Sequence, residues 1–440
     1  MLSQKTRHLK NGGKKMKKIS VVILMIAAMV FTSGSALAEK PTTSTIMIDC
    51  NPDPMSENWL PVQEIRGTIG PGAEYLLYAP PDWKDLVLYA HGYVSTQAPV
   101  GFQDQGLLDQ VESVSNALLC PIPGVKPSYA VAISSYSENG FAVKKGAQQT
   151  KQVGKLFVSA FGRPKRTYLV GASLGGGIVT YLIERFPSQY DGALALCGFV
   201  GGSQMQISYI ADLRNVFDYL YPGVIPGDAL NVPADLDFES QVVPAVTSAI
   251  FTEASFNLPL TIQKAYILSS IEQIQLPLEG TNIIETMIES LLSAIYYNID
   301  GTNAILDKTH GRSPYDNIDK EYTSVANPLL PPSELNQILE EINTNVNRFA
   351  STPDAEKYLG HWFTPTGNLK RPLLTLHTTL DPAVPYFHEE AYGQIAALAG
   401  SSNWLIQIPV ERYGHCEFED IEVLDAFLEL VTWVEAIANP

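Results

Sequence analysis

Basic residues are in short supply in this 440-residue chain: 29 Lys and Arg stand against 46 Asp and Glu, a net charge of −17. Residues 1–38 hold seven of the cations and none of the acids, so a chain without that segment carries 22 against 46, a charge of −24. Such a polyanion is repelled by phosphate backbones and anionic bilayers, and nucleic acid is not an expected partner. Cysteine is also scarce, with only Cys50, Cys120, Cys197 and Cys416. There is no CxxC pair and no His/Cys cluster at ligand spacing, so no structural zinc is indicated. No repeat at a fixed period, collagen-like tract or coiled-coil tract is present, which excludes solenoid and fibrous architectures. The apolar run Ile19–Phe31 is short for a membrane-spanning helix.

That run has a different reading. Lys14, Lys15, Lys17 and Lys18 precede it, and Ala36-Leu37-Ala38 follows it. A basic segment, a short apolar segment and an A-x-A site form an export signal, with cleavage expected after Ala38. No Cys lies near that point, so no lipid anchor is expected. The mature protein is expected in the periplasm or outside the cell, with no stable membrane span. All four cysteines lie beyond the signal. In an exported chain they permit two disulfides with three possible connectivities.

The mature chain alternates two patterns. Glu64–Ile69 and Ala73–Ala79 flank Gly70-Pro71-Gly72 and predict an antiparallel hairpin. Short apolar runs at 85–90, 129–134, 167–171, 193–197, 372–377 and 404–409 suit strands buried on both faces of a parallel sheet. Helical patterns at 104–118, 144–160, 174–186 and 421–438 lie between or after them, which predicts an α/β fold. The alternation pauses after Gly202 for some 150 residues of mainly helical pattern. Ile283, Ile284, Met287, Ile288, Leu291, Leu292 and Ile295 share one helical face there. Leu335, Ile338, Leu339, Ile342, Val346 and Phe349 share another. The expected organisation is a core of 39–200 and 361–440 with a helical lid or cap, 201–360, inserted between two strands of one sheet.

Chemistry concentrates at Gly171-Ala172-Ser173-Leu174-Gly175, which follows an apolar strand and opens a helix. A G-x-S-x-G pentapeptide in that setting makes a sharp turn that exposes the serine hydroxyl at a strand's end. Serine needs a base. Of seven histidines, His8 lies in the leader, His91 follows an early strand, and His310 and His361 fall in or near the insertion. His377 ends a strand and reads as buried structure, and His388 starts a helical segment. His415 remains, in the loop after the last strand, where a base can reach back to Ser173. Asp381, at the end of the preceding strand and stiffened by Pro382 and Pro385, is placed to orient it. The oxyanion donors are expected to be the backbone N–H groups of Leu174, directly after the nucleophile, and of Tyr93 in His91-Gly92-Tyr93. The Tyr93 ring could also wall the acyl site.

His-Gly-Tyr, Gly-Ala-Ser-Leu-Gly-Gly, Asp-Pro-Ala-Val-Pro and Gly-His, in this order, resemble the α/β-hydrolase superfamily over about 64–200 and 365–440. The resemblance implies a mostly parallel sheet flanked by helices and a secreted serine hydrolase. Its expected activity is cleavage of small or polymeric carboxylic esters through an acyl-enzyme. A secreted peptidase of the prolyl oligopeptidase or aminopeptidase type would use the same three residues. Neither activity needs a cofactor or metal. Ser173 departs from the dehalogenase-like branch, whose nucleophile is Asp. His415-Cys416 is similar to the tannase and feruloyl esterase group, in which that Cys pairs with one before the nucleophile. Ala172 occupies that second position here, so that bridge cannot form. Cys197, ending the strand after the nucleophile strand, and Cys416, beside the base, are both expected near the active edge of the sheet. A Cys197–Cys416 pair is therefore favoured, with Cys50–Cys120 as the other.

Overall fold

The computed structural model describes residues 40–50, 58–103, 105–122, 124, 126–272, 283–323 and 332–438. The expected export signal, 1–38, lies outside them. The chain begins with three antiparallel strands, β1 (Thr42–Asp49), β2 (Trp59–Ile69) and β3 (Ala73–Ala79). β2 and β3 form the expected hairpin, with Gly70 and Gly72 at φ 58° and 92°, values costly for other residues. β1 was not anticipated. It is a largely exposed edge strand whose Thr-Thr-Ser-Thr start has no apolar alternation.

Then follow β4 (Leu86–Ala90), α1 (Gln105–Leu119), β5 (Ala130–Ser134), α2 (Val143–Phe161), β6 (Thr167–Ala172), α3 (Leu174–Arg185) and β7 (Gly192–Leu196). Next come α4 (Ser203–Leu220), α5 (Val243–Glu272), α6 (Ile283–Lys308), α7 (Pro332–Asn345) and α8 (Pro353–His361). The chain closes with β8 (Leu373–Leu380), α9 (Phe387–Leu398), β9 (Leu405–Tyr413) and α10 (Asp420–Ala438). Two adjustments have local causes. Val346 and Phe349, expected on a helix, lie beyond the end of α7, where Val346 still packs in the core and the Asn317 side chain takes the Phe349 amide. The long α5 kinks at Asn257, two residues before Pro259, whose ring cannot sit in an unbroken helix.

Among the described residues the sheet has nine strands in the order β1-β2-β3-β5-β4-β6-β7-β8-β9, with all pairs from β5 to β9 parallel. Alternate strand residues serve two cores. Leu88, Ala90 and Leu169 face Phe157 of α2 and Ile178 and Leu182 of α3. Val87, Tyr89 and Val170 face Leu119 of α1 and Phe427 and Leu430 of α10. Burying each large apolar side chain contributes roughly 2 kcal/mol, and two-sided burial explains the unbroken apolar runs. The helices between β7 and β8 enclose a third core, which includes Phe217, Ile250, Leu268, Leu291 and Ile342.

Strand order reverses at β4, which lies between β5 and β6. A crevice at the carboxyl ends of strands flanking such a reversal is where open α/β sheets bind ligands. The loops after β4 and β6 meet there.

Candidate active site

Ser173 sits between β6 and α3 with φ 55° and ψ −117°. Non-glycine residues avoid this region because Cβ crowds the following carbonyl, and the surrounding structure must enforce it. The enforcement is visible in the neighbours. A Cβ on Gly175 would run into the Ala90 carbonyl of β4, and one on Gly171 would run into the Gly175 carbonyl. Only glycine at both positions lets strand, turn and helix close this tightly. The Ser173 amide donates to the Leu196 carbonyl at 2.8 Å, which ties the turn to the neighbouring strand β7.

His415 lies in the loop after β9. Its Nε2 is 2.8 Å from Ser173 Oγ, and its Nδ1 is 2.6 Å from Asp381 Oδ2. Asp381 is buried at the end of β8, where its Oδ1 accepts the amides of Ala383 and Val384 at 2.8 and 2.9 Å. Burial pushes this carboxyl's pKa up. His415 and His377 outweigh it and hold the group at about 2. The three residues singled out from the sequence are thus brought together in one hydrogen-bonded line.

The tight strand–turn–helix at Ser173, the strand order and the chain order Ser…Asp…His agree on one architecture. This is the α/β-hydrolase fold. No protein-family model matches the sequence, and no curated protein matches it. Among solved structures the hydrolase fold here is similar to an esterase from Aspergillus oryzae at 12% identity, covering 91% of this chain and 86% of that one, with a TM-score of 0.44. Feruloyl esterase B from Aspergillus oryzae is similar at 13% identity, with 91% and 87% covered and a TM-score of 0.41. A ligand-bound form of the rice cell wall degrading esterase LipA from Xanthomonas oryzae is similar at 13% identity, with 90% and 95% covered and a TM-score of 0.41.

Both disulfides pair as expected. Cys197–Cys416 and Cys50–Cys120 each have Cα atoms 5.3 Å apart. Cys197 follows Leu196, the register partner of Ala172, so the first bridge joins the His415 loop to β7, the strand beside β6. Cys197 and Cys416, like Ser173, have positive φ, at 44° and 58°. Both sulfurs are bonded to each other, so neither offers a thiolate to a metal beside His415.

Tyr93 and Leu174 line a pocket together with Ser173. Gly92 comes so close that a Cβ on it would lie 3.5 Å from that of Ser173. The pocket is tight, with about 60 Å³ of free space, below the usual range of small-molecule sites. Ile207 and Ile210 of α4, Tyr297 and Ile305 of α6, and Phe141 and Val384 make its walls largely apolar. A larger hollow of about 780 Å³ lies between α1 and α10, against Ala172 and Cys416. None of Ser173, Asp381 and His415 lines it.

Sequence reasoning missed the residues that tie the inserted helices to the active loops. Asp300 of α6 accepts the Tyr93 hydroxyl at 2.6 Å, the Ser95 hydroxyl at 2.7 Å and the Thr96 amide at 2.8 Å. In α4, Gln206 donates to the Ala383 carbonyl at 2.8 Å and Tyr209 to the Pro382 carbonyl at 2.7 Å, in the Asp381 loop. Ser290 of α6 lies 2.9 Å from the Tyr413 hydroxyl, two residues before His415. These pairs join segments more than 100 residues apart, and no local pattern announces them.

Proposed function

We propose that this protein is an exported serine hydrolase that cleaves carboxylic esters through an acyl-enzyme, with Ser173, His415 and Asp381 as its triad. The observation that carries the reading is the continuous Ser173–His415–Asp381 hydrogen-bond line at the end of an apolar pocket. With Nδ1–H held by Asp381, His415 presents an Nε2 lone pair to the Ser173 hydroxyl. Oγ attacks the ester carbonyl carbon as its proton passes to Nε2. The carbonyl π electrons move to oxygen and form a tetrahedral oxyanion.

In this reading the Leu174 and Tyr93 amides stabilise that charge. Leu174 opens α3, where the first N–H groups have no partner within the helix and the dipole favours an anion. The intermediate collapses, the C–O bond to the alcohol breaks, and His415 returns its proton to the departing alkoxide. Water, deprotonated by His415, attacks the acyl-Ser173. The second intermediate expels Oγ, which regains the proton as the acid leaves.

The insertion 201–360 supplies α4 and α6, so it acts as the cap that forms most of the acyl pocket. Export with removal of residues 1–38 accords with the two disulfides. Among the described residues, no helix is long and apolar enough to cross a membrane.

The test is a panel of p-nitrophenyl esters run beside aminoacyl p-nitroanilides. Turnover of the esters, abolished in Ser173→Ala, is expected. Turnover of the anilides alone would replace the esterase reading with a peptidase one.

A further inference from the structure

Behind Asp381 lies a second imidazole that these steps do not use. His377, in β8, is fully buried. Its Nε2 is 2.8 Å from the Val384 carbonyl and 3.4 Å from Asp381 Oδ2, and its Nδ1 is 3.1 Å from Glu389 Oε1 of α9. A carbonyl has no proton to give, so Nε2 must carry one. A neutral ring would then turn a bare Nδ1 lone pair toward Glu389. The other Glu389 oxygen accepts Thr375 Oγ1 and Gln407 Nε2, both at 2.6 Å. Both ring nitrogens thus face acceptors, and the doubly protonated ring satisfies both.

We infer that His377 is a buried imidazolium at neutral pH that acts as a positioning residue for Asp381, with Glu389 as its counter-ion. The inference rests on the triad reading above and extends its line to Ser173–His415–Asp381–His377–Glu389. Burial alone would push the ring's pKa down. The bonds to Asp381 and Glu389 outweigh it and raise it to about 10.

The other groups around the cluster are uncharged or lie on its far side. Tyr386 stacks edge-on at 5.8 Å, and Gln407 is neutral. His388 is held neutral, its pKa pushed down to about 3 by burial and then by the charge on His377. Tyr297 and Tyr413 flank Asp381, and burial raises both phenols. Asp381 Oδ1 is held by two amides, so Oδ2 is the atom shared between His415 and His377. The cation fixes the carboxylate from behind and offsets the second buried anion. His415 therefore works against a net charge of minus one instead of minus two.

Two measurements on the full-length protein test this. The first is NMR of ¹⁵N-histidine-labelled wild type, with the His377 signals assigned by their loss in His377→Gln or their displacement in Glu389→Gln. Both ring nitrogens are expected to stay protonated from pH 6 to 9. A ring with one bare nitrogen at pH 7, as it would be if Glu389 held the proton, overturns the inference. The second is the pH profile of kcat/KM on p-nitrophenyl butyrate, with thermal unfolding as the folding control. Removing the cation in His377→Gln should move the acid limb up by about one pH unit and lower kcat about tenfold, with KM within about twofold. Removing the counter-ion in Glu389→Gln should move the acid limb the opposite way. Folded variants whose acid limbs both coincide with the wild type's would overturn the positioning role. A wild type inactive on every ester would sink the hydrolase reading, while the NMR result would still decide the state of His377.

Discussion

The central sheet and the inserted helices are stabilised by different means. Between its helices the sheet is buried mostly by Leu, Val, Ala and Ile on both faces, with Thr375 and His377 of β8 and Glu389 of α9 forming a buried polar cluster at one place. The insertion has an apolar core too, but buried polar groups run through it. Arg214, fully buried, pairs with Asp218 at 2.8 Å and donates to Asn298 at 3.1 Å. Asp212 accepts the hydroxyls of Tyr315 and Tyr322 at 2.6 and 2.7 Å and pairs with Lys320. In a sheet, backbone ladders fix the register and apolar side chains need only fill space. Helices have no such ladder between them, and directional polar contacts can single out one arrangement among several that Leu and Ile would permit. One arrangement matters here because α4 and α6 hold the loops carrying Tyr93, Asp381 and His415. The sheet places Ser173, Asp381 and His415, and the insertion hydrogen-bonds to the loops beside them.

Substitutions on the two sides should separate these roles. Ser173→Ala and His415→Ala should each lower kcat on a p-nitrophenyl ester by a factor on the order of 10³ or more. The double variant should be little worse, because the two act as a unit, and unfolding midpoints should stay near wild type. In the insertion, Arg214→Ala strands Asp218, whose pKa burial already lifts to about 6 against the pull of Arg214. Urea unfolding should show a loss of about 3–5 kcal/mol. Phe157→Ala in the sheet core should cost a similar ~3–5 kcal/mol by leaving a cavity. The comparison breaks if the Arg214 variant is as stable as wild type.

A smaller effect should follow from unpinning the Tyr93 loop. Asp300→Ala should lower kcat about tenfold, less than outright loss of an oxyanion donor, with a lesser change in KM. An unchanged kcat would mean that the loop holds its place without the insertion. A separate effect is on stability in alkali. The folded pKa of His377 is raised, so its contribution is fully present below about 6.5 and is lost as pH rises through about 10. Melting temperature should fall over that window in the wild type and fall less in His377→Gln.

The sequence made legible whatever depends on neighbours in the chain. Two-sided burial turns the strands of the sheet into apolar runs, and the elbow at Ser173 needs glycines at fixed offsets. Asp381 and His415 followed from their places after the last two strands. The edge strand β1 escaped because an exposed strand needs no apolar alternation. Asp300 and Gln206 escaped because their partners lie 177 or more residues away. His377 was read correctly as buried, but a ring's charge depends on which atoms face its two nitrogens. Glu389, one of those partners, lies on the next helix with no motif to mark it.

The most direct test is intact-protein and peptide mass spectrometry of the wild type, acid-quenched during turnover of a p-nitrophenyl ester. The expected result is an adduct of the acyl group's mass on the peptide containing Ser173, absent from Ser173→Ala. Ester turnover accompanied by an acyl adduct on another residue would contradict the assignment of Ser173 as the nucleophile.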